Sequence, residues 1–499
     1  MKRWIDIKNA QAVDNSSIPI IDISELAGDI TKYVKKGLRV VQFFCREIED
    51  GKKQLITAVL ADDETSLLKL SQSALKTNGR YGSITPTAEA MHIFEREVHE
   101  QTGIIPSGHP WLKAVRCEHS KTNSAGEMKD YPYLDIIGEQ THEVAVGPVH
   151  AGIIEPGSFR FLCHGEQVYH LEIQLGYQHR GVERLFKQGS AVRKWHLAES
   201  IVGDSVIAHG LAYCCAVEAL SDTETPKRAE LIRCLALELE RIAMHLVGLG
   251  GISLDIGFLL GASVYGRLRT SVINTMLQIC GCRFGRGLIR PGGVLFDISD
   301  DLRRVIRRSL DTLENDIVKI NDLFFNSPSV LSRLERTGVI DTEIAKKIGL
   351  VGIMAKMAGI PNDSRKTHQL GLYKTENIAP ITLTTGDAFA RAKIRALEIE
   401  QSINLIRKWL NYTKIKTPII TAPKRLKSNH SAVTVTEGWR GEVCHFAVTG
   451  NTNAFEYYKI KDPSFHNWTG LALALRGNGI SDFPLCNKSF DLSYCGFDL

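Results

Sequence analysis

Glu238, Arg241 and His245 follow one another at spacings of three and four residues, so on a helix a carboxylate, a guanidinium and an imidazole share one face. Such a row reads either as a salt-bridged surface or as a buried polar row, and burial separates the two. The eleven cysteines show no regular spacing, so reduced thiols in a core are expected rather than a disulfide framework. The adjacent Cys214 and Cys215, and Cys280-Gly281-Cys282, lack the second pair that a tetrahedral metal site needs. Neither Gly-x-Gly-x-x-Gly nor Gly-x-x-x-x-Gly-Lys-Ser/Thr occurs, and Gly285-Arg286-Gly287 fails at the third glycine, so direct nicotinamide or ATP binding by those folds is not expected. No Gly-x-Ser-x-Gly elbow signals serine hydrolysis.

The elements that must position these side chains follow from periodicity. Residues 38–61 read as two β-rich runs around the turn EDGKK, followed by a helical segment near DETSLLKLSQSALK and a second helix around HIFEREVHEQTG. Lys121 to Asp130 is small and polar, which places a linker there. Strand-like pieces start at about Thr141, and long helical patterns follow to about residue 330. The clearest helix is Lys227 to Leu249, where Ile232, Leu235, Leu239, Ile242 and Leu246 form one apolar stripe that predicts a place inside a bundle. Leu246 to Gly266 has membrane-spanning length but carries glycines and Asp255, and reads as two core helices joined at a break.

The 499 residues leave room for two to four domains and a large core. Apolar residues make up 43% and charged residues 23%, a soluble globular composition that excludes disordered, collagen-like and multi-span membrane classes. A net charge of +5 without a basic block argues against a nucleic-acid partner. The basic start lacks an apolar continuation, so the expected location is the cytoplasm.

Several spaced motifs then carry a resemblance. HIFEREVHEQTGIIPSGHPWL (92–112) looks like the signature of the 30-kDa subunit of respiratory complex I. GPVHAGIIEPGSFRF (147–161), IQLGYQHRGVERL (173–185), IRCLALELERIAMHLVGLG (232–250), RPGGV (290–294) and HNWTGLALALRGNGISDFP (466–484) resemble, in order, the 49-kDa complex I subunit and the large subunit of membrane-bound [NiFe] hydrogenases. Fusion of both modules is most similar to the formate hydrogenlyase and hydrogenase-4 type. The resemblance implies an α+β fold: a small N-terminal α+β domain (residues 1–120), a linker (121–140), and a large, mostly helical bundle domain (141–499) that begins with a β-region.

It also implies a site, from which this chain departs. A nickel-iron centre takes four thiolates from two Cys-x-x-Cys pairs. Their places hold Val202 and Ser205 in SIVGDS, and Ser493 and Gly496 in DLSYCG, so a nickel-iron centre is expected to be absent and no metal is assigned. Cys495 lies between the second pair of places. The chain ends at Leu499, just past this motif, where hydrogenases of this type often carry a segment clipped after nickel insertion; none is expected here. In the quinone-reducing branch a histidine and a tyrosine flank the quinone head. His150 matches that histidine, Ala151 replaces the following proline, and residues 201–205 hold no tyrosine.

By the same resemblance His150, Asp204, Ser205, Asp491, Ser493 and Cys495 line the ancestral cavity, either as proton or ligand partners or satisfying one another in a filled-in site. Arg365 matches an arginine above the metal site and would bind a carboxylate such as Asp204 or an anionic ligand. His179 and Arg180, with His245, would face an iron–sulfur cluster of a partner subunit, either coupling electron arrival to protonation or stitching the interface. The resemblance implies that the chain holds no cofactor of its own. A small iron–sulfur subunit and integral membrane subunits of an ion-translocating arm are the implied partners, at the inner face of the cell membrane, with quinone or NAD(H) used only through the complex. The implied function is an oxidoreductase subunit, with a non-catalytic scaffold as the alternative.

Overall fold

The computed structural model describes residues 2–48, 52–117, 131–135, 138, 140–150, 154–412 and 418–499. Lys121 to Asp130, part of the EDGKK turn and Ala151 lie outside the described residues.

The N-terminal part is an antiparallel sheet in the order Ile5–Ile7, Leu67–Lys76, Lys53–Asp62, Arg39–Ile48. Alternation sends Ile56, Ala58 and Leu60 toward the helices Ile23–Lys35 and His92–Thr102, and Val59 and Ala61 to the opposite face. That opposite face packs on a second sheet, Phe455–Lys461, Gly441–Thr449, His430–Gly438 and Gln11–Asp14. Phe44 stacks on Tyr457 at 5.2 Å across this sandwich, and Gln11–Asp14 crosses over to pair with His430–Gly438. Leu67–Lys76 is therefore a strand, not part of the helical segment expected near DETSLLKLSQSALK. Leu68 and Leu70 alternate at period two, and ten residues register against Lys53–Asp62. The helix expected around HIFEREVHEQTG is present and stops at Gly103, whose φ of +76° is a left-handed cap.

Three antiparallel strands, Thr141–Val146, Ser158–His164 and Gln167–Gln174, open the remainder of the chain. The helices Val206–Ser221, Lys227–Asp255, Leu259–Cys280, Asp300–Asn326 and Ala388–Trp409 follow. Helix 227–255 is central: residues 231–246 are buried all round, so its apolar stripe meets the other helices while Glu238, Arg241 and His245 are a buried polar row rather than a surface face. The break in 246–266 falls at Gly257, with φ +75°. Its tip is not core, since Leu259 is 67% exposed and Leu254 59%.

Candidate functional site

The two segments expected to face each other do meet. A turn in which Ser205 N–H bonds the Val202 carbonyl at 3.2 Å leads into helix 206–221. Ser205 is that helix's N-cap but makes no side-chain capping bond; the carboxylate of Glu240, reaching across from helix 227–255, accepts from Ile207 N at 2.7 Å and Ala208 N at 3.2 Å instead. Across from the turn, Ser493 Oγ caps the short helix Tyr494–Asp498 by accepting from Gly496 N at 2.9 Å. A Cβ at Gly496 would stand 2.8 Å from Val202 Cγ2, 2.9 Å from Ser493 Oγ and 2.7 Å from Asp462 Cγ, so only glycine fits. Val202, Ser493 and Gly496 thus converge on one closely packed spot. Cys495 Sγ lies 3.4 Å from Ser493 Oγ, and burial, with Glu155 adding, pushes its thiol up to about 11, so it is not a thiolate at neutral pH.

Arg440, on the turn between strands 430–438 and 441–449, joins the two segments. Its guanidinium holds Asp204 Oδ1 at 2.5 Å and Oδ2 at 2.9 Å, and its Nε donates to the Asp491 carbonyl at 2.5 Å. Beside it the Trp439 indole N–H donates to the Asp204 carbonyl at 2.8 Å. Asp491 sits at φ +55°, and its Oδ2 is buried without a hydrogen-bond partner, as is Arg395 Nε. Both approach Gly248, where a Cβ would stand 3.1 and 2.8 Å from them. Burial raises the Asp491 carboxyl above its ordinary range against the pull of Arg440 and Arg395. Burial also carries Glu240 up to about 8.

Behind Gly496 runs a buried chain that sequence reasoning missed: Asp462 Oδ2 to His209 Nε2 at 3.1 Å, His209 Nδ1 to His445 Nε2 at 3.0 Å, and His445 Nδ1 to the Tyr458 hydroxyl at 2.8 Å. With both imidazoles neutral, an ionised Asp462 accepts from His209 Nε2–H, His209 Nδ1 accepts from His445 Nε2–H and His445 Nδ1 accepts from Tyr458. All three bonds then point toward Asp462 and the site.

The other expected residues are placed differently. Arg365 does not reach Asp204: its guanidinium binds Asp363 at 2.7 Å and Glu238 at 3.3 Å, because the start of the helix Ser364–Thr367 buries it against helix 227–255. His245 is fully buried and bonds Glu398 at 2.8 Å. His150 is half-buried, with Nε2 on the Gly157 carbonyl at 2.8 Å, and its ring and that of Tyr494 both pack on Phe159. His179 Nδ1 meets the Asp498 carbonyl at 2.7 Å. Arg180 is exposed and clamps the carbonyls of Ser200 (2.7 Å), Ile201 (2.8 Å) and Cys495 (3.2 Å), holding the two segments of the site together from outside. A cavity of about 470 Å³ lies elsewhere, between Gln11, Glu218, Arg233 and Lys374, and none of the expected site residues lines it. All eleven cysteines are free thiols.

A sandwich-backed helical bundle with a site between an early turn and a C-terminal helix defines a class, and comparison with known proteins identifies it. The respiratory-chain NADH dehydrogenase 30 Kd subunit family matches residues 30–132, and the 49 Kd subunit family matches residues 255–430. The membrane-bound hydrogenase subunit alpha of Pyrococcus furiosus is 31% identical over 365 residues, covering 70% of this chain and 85% of its own. Hydrogenase-4 component G of Escherichia coli is 27% identical over 83% of this chain and 75% of its own. The solved structure of the membrane-bound sulfane sulfur reductase, an archaeal respiratory membrane complex, includes a chain that superposes with a TM-score of 0.69 at 26% identity, covering 73% of this chain and 100% of that one. The chain belongs to the family of complex I 49-kDa subunits and membrane-bound hydrogenase large subunits, with the 30-kDa module in the same polypeptide. Among the described residues no helix is long and apolar enough to cross a membrane.

Proposed function

We propose that this chain is the large subunit of a membrane-associated oxidoreductase complex that transfers electrons without a nickel-iron centre. One observation carries this reading: the places of the four family thiolates hold Val202, Ser205, Ser493 and Gly496, and three of these meet in direct packing, so the donor set does not fit nickel. A small iron–sulfur subunit delivers electrons at the face marked by the exposed Arg180, with the half-buried His179 beside it. Integral membrane subunits hold the assembly at the inner face of the cell membrane. The working groups are Asp204, Arg440 and Asp491, where a guanidinium already bound to a carboxylate offers N–H donors to an oxygen-bearing, quinone-like acceptor, and Asp462 and Glu240 stand nearby to exchange protons. The domain limits we assign are 1–120 and 141–499 with a linker at 121–140; the family matches themselves span 30–132 and 255–430.

Metal analysis of the purified complex, together with hydrogen-linked and quinone-linked electron-transfer assays, tests this. Quinone-linked transfer without stoichiometric nickel is expected; stoichiometric nickel or hydrogen turnover overturns it. The tight contact of Val202 with Gly496 favours a second reading, a scaffold kept for assembly. An intact complex that reduces no acceptor supports that reading instead.

A further inference from the structure

Eight side chains, each no more than 3% exposed, form one charged cluster within the bundle. Helix 227–255 supplies Glu238, Arg241 and His245, and the short helix Ile353–Lys356 supplies Lys356. Asp363 and Arg365 come from the start of helix 364–367, Glu398 from helix 388–409 and Glu437 from strand 430–438. Lys356 Nζ bridges Asp363 at 2.8 Å and Glu398 at 2.7 Å and stands 3.5 Å from Glu437. Arg365 joins Asp363 and Glu238, and Arg241 lies 3.2 Å from Glu238 and 3.9 Å from Glu398.

The charges do not balance. Glu238, Asp363, Glu398 and Glu437 are four carboxylates, and Arg241, Lys356 and Arg365 are three permanent cations; the buried Arg395, which also acts on Glu398 and His245, has Asp491 as its first opposite charge and is counted with it. With His245 neutral, the fully ionised cluster would carry one uncompensated negative charge in a water-excluded interior, which is far costlier than holding one proton. The partners show where it sits. Glu238 takes Arg241, Arg365, the Tyr373 hydroxyl and the Ser402 hydroxyl. Asp363 takes Lys356 and three N–H groups of Arg365, and Glu398 takes Lys356 and His245. Glu437 accepts a hydrogen bond from Ser364 N at 2.9 Å and has its nearest cation 3.5 Å away. His245 offers a second seat: its Nε2 is engaged with Glu398, while Nδ1 is buried without a partner and the ring packs edge to face on Trp439, next to Arg440.

We propose that this cluster is a one-proton store, with Glu437 as the resting seat and His245 Nδ1 as the second, toward the Trp439–Arg440 turn. A proton moved between the seats leaves the Glu437 carboxyl as carboxylate and converts His245 to imidazolium, so the cluster stays neutral. Burial, with Asp363 adding, raises Glu437. Burial draws His245 down to about 4, against the upward pull of Glu398 and with Arg241 and Arg395 adding to the fall. The proton therefore rests on Glu437. Use of the store during electron transfer rests on the function proposed above; its existence does not.

Infrared difference spectra of the purified complex between mildly acidic and alkaline pH, with no electron transfer involved, test the store. Glu437→Gln should remove one protonated-carboxyl C=O band that shifts in D2O, while Glu240→Gln, outside the cluster, removes a different one. Lys356→Met should instead add one protonated-carboxyl band, because the cluster must then hold a second proton. Carboxyl bands unchanged by Glu437→Gln overturn the proposal, as does an unchanged spectrum of the folded Lys356→Met complex should the first variant fail to fold.

Discussion

Arg440 grips both carboxylate oxygens of Asp204 and reaches the Asp491 carbonyl with its third nitrogen, so one planar guanidinium ties the 200–205 turn to the C-terminal segment. Asp204 is 38% exposed, which weakens the Coulombic part of the pair, and the value lies mainly in the fork geometry. Arg440→Lys keeps the charge and loses the fork; it should cost about 1–2 kcal/mol, read by denaturant titration, and lower electron transfer more than stability alone explains. Unchanged turnover would remove Arg440 from the working groups.

Gly496 has no room for a methyl group between Val202, Ser493 and Asp462. Gly496→Ala should destabilise by about 1–3 kcal/mol through overpacking, and Val202→Ala should recover part of that loss in the double variant. Additive effects in that cycle would show that the two segments do not touch.

Burial holds Glu240 at about 8 in the folded chain against an ordinary 4.5, with its two helix N–H bonds pulling the other way. The folded state thus binds this proton more tightly than the unfolded state. The stability it contributes is full below about pH 4.5 and is lost as pH rises to about 8. Glu240→Gln should flatten the decline in stability over that window, measured by melting at a series of pH values. An equally steep decline in the variant would place the titrating group elsewhere.

The Asp462–His209 bond is buried at both ends, and Asp462 also accepts from Ser464 N at 2.8 Å. Asp462→Ala strands both donors and should cost about 2–4 kcal/mol. A double cycle with His209→Ala should return a coupling of about 1–2 kcal/mol, and a coupling near zero would contradict the chain of bonds toward the site.

Much of the architecture was legible in the amino-acid order. The stripe from Ile232 to Leu246, the strands after Thr141 and a break somewhere in 246–266 follow from local periodicity and glycine, whereas its place at Gly257 comes from the structure; the spaced motifs brought Val202, Ser205, Ser493 and Gly496 to attention together. The strand Leu67–Lys76 is not legible in the sequence, because its serines and lysines hide a period-two pattern that only pairing with its neighbour reveals. Arg440 and Glu240 were missed; the glycine-flanked Gly438-Trp439-Arg440-Gly441 was the one local signal that a side chain stood at a hairpin tip.

Sequence by itself determined which residues repeat at helix or strand spacing, and which chemical types stand where sulfur would be required. Tertiary structure decided the pairings: Asp204 with Arg440 across 236 positions, Arg365 with Asp363 and Glu238 rather than with Asp204, and His245 with Glu398. The physical reason is range. Backbone periodicity acts over a few residues, whereas the partner of a buried charge is set by whichever opposite charge the packing carries into the same dry volume.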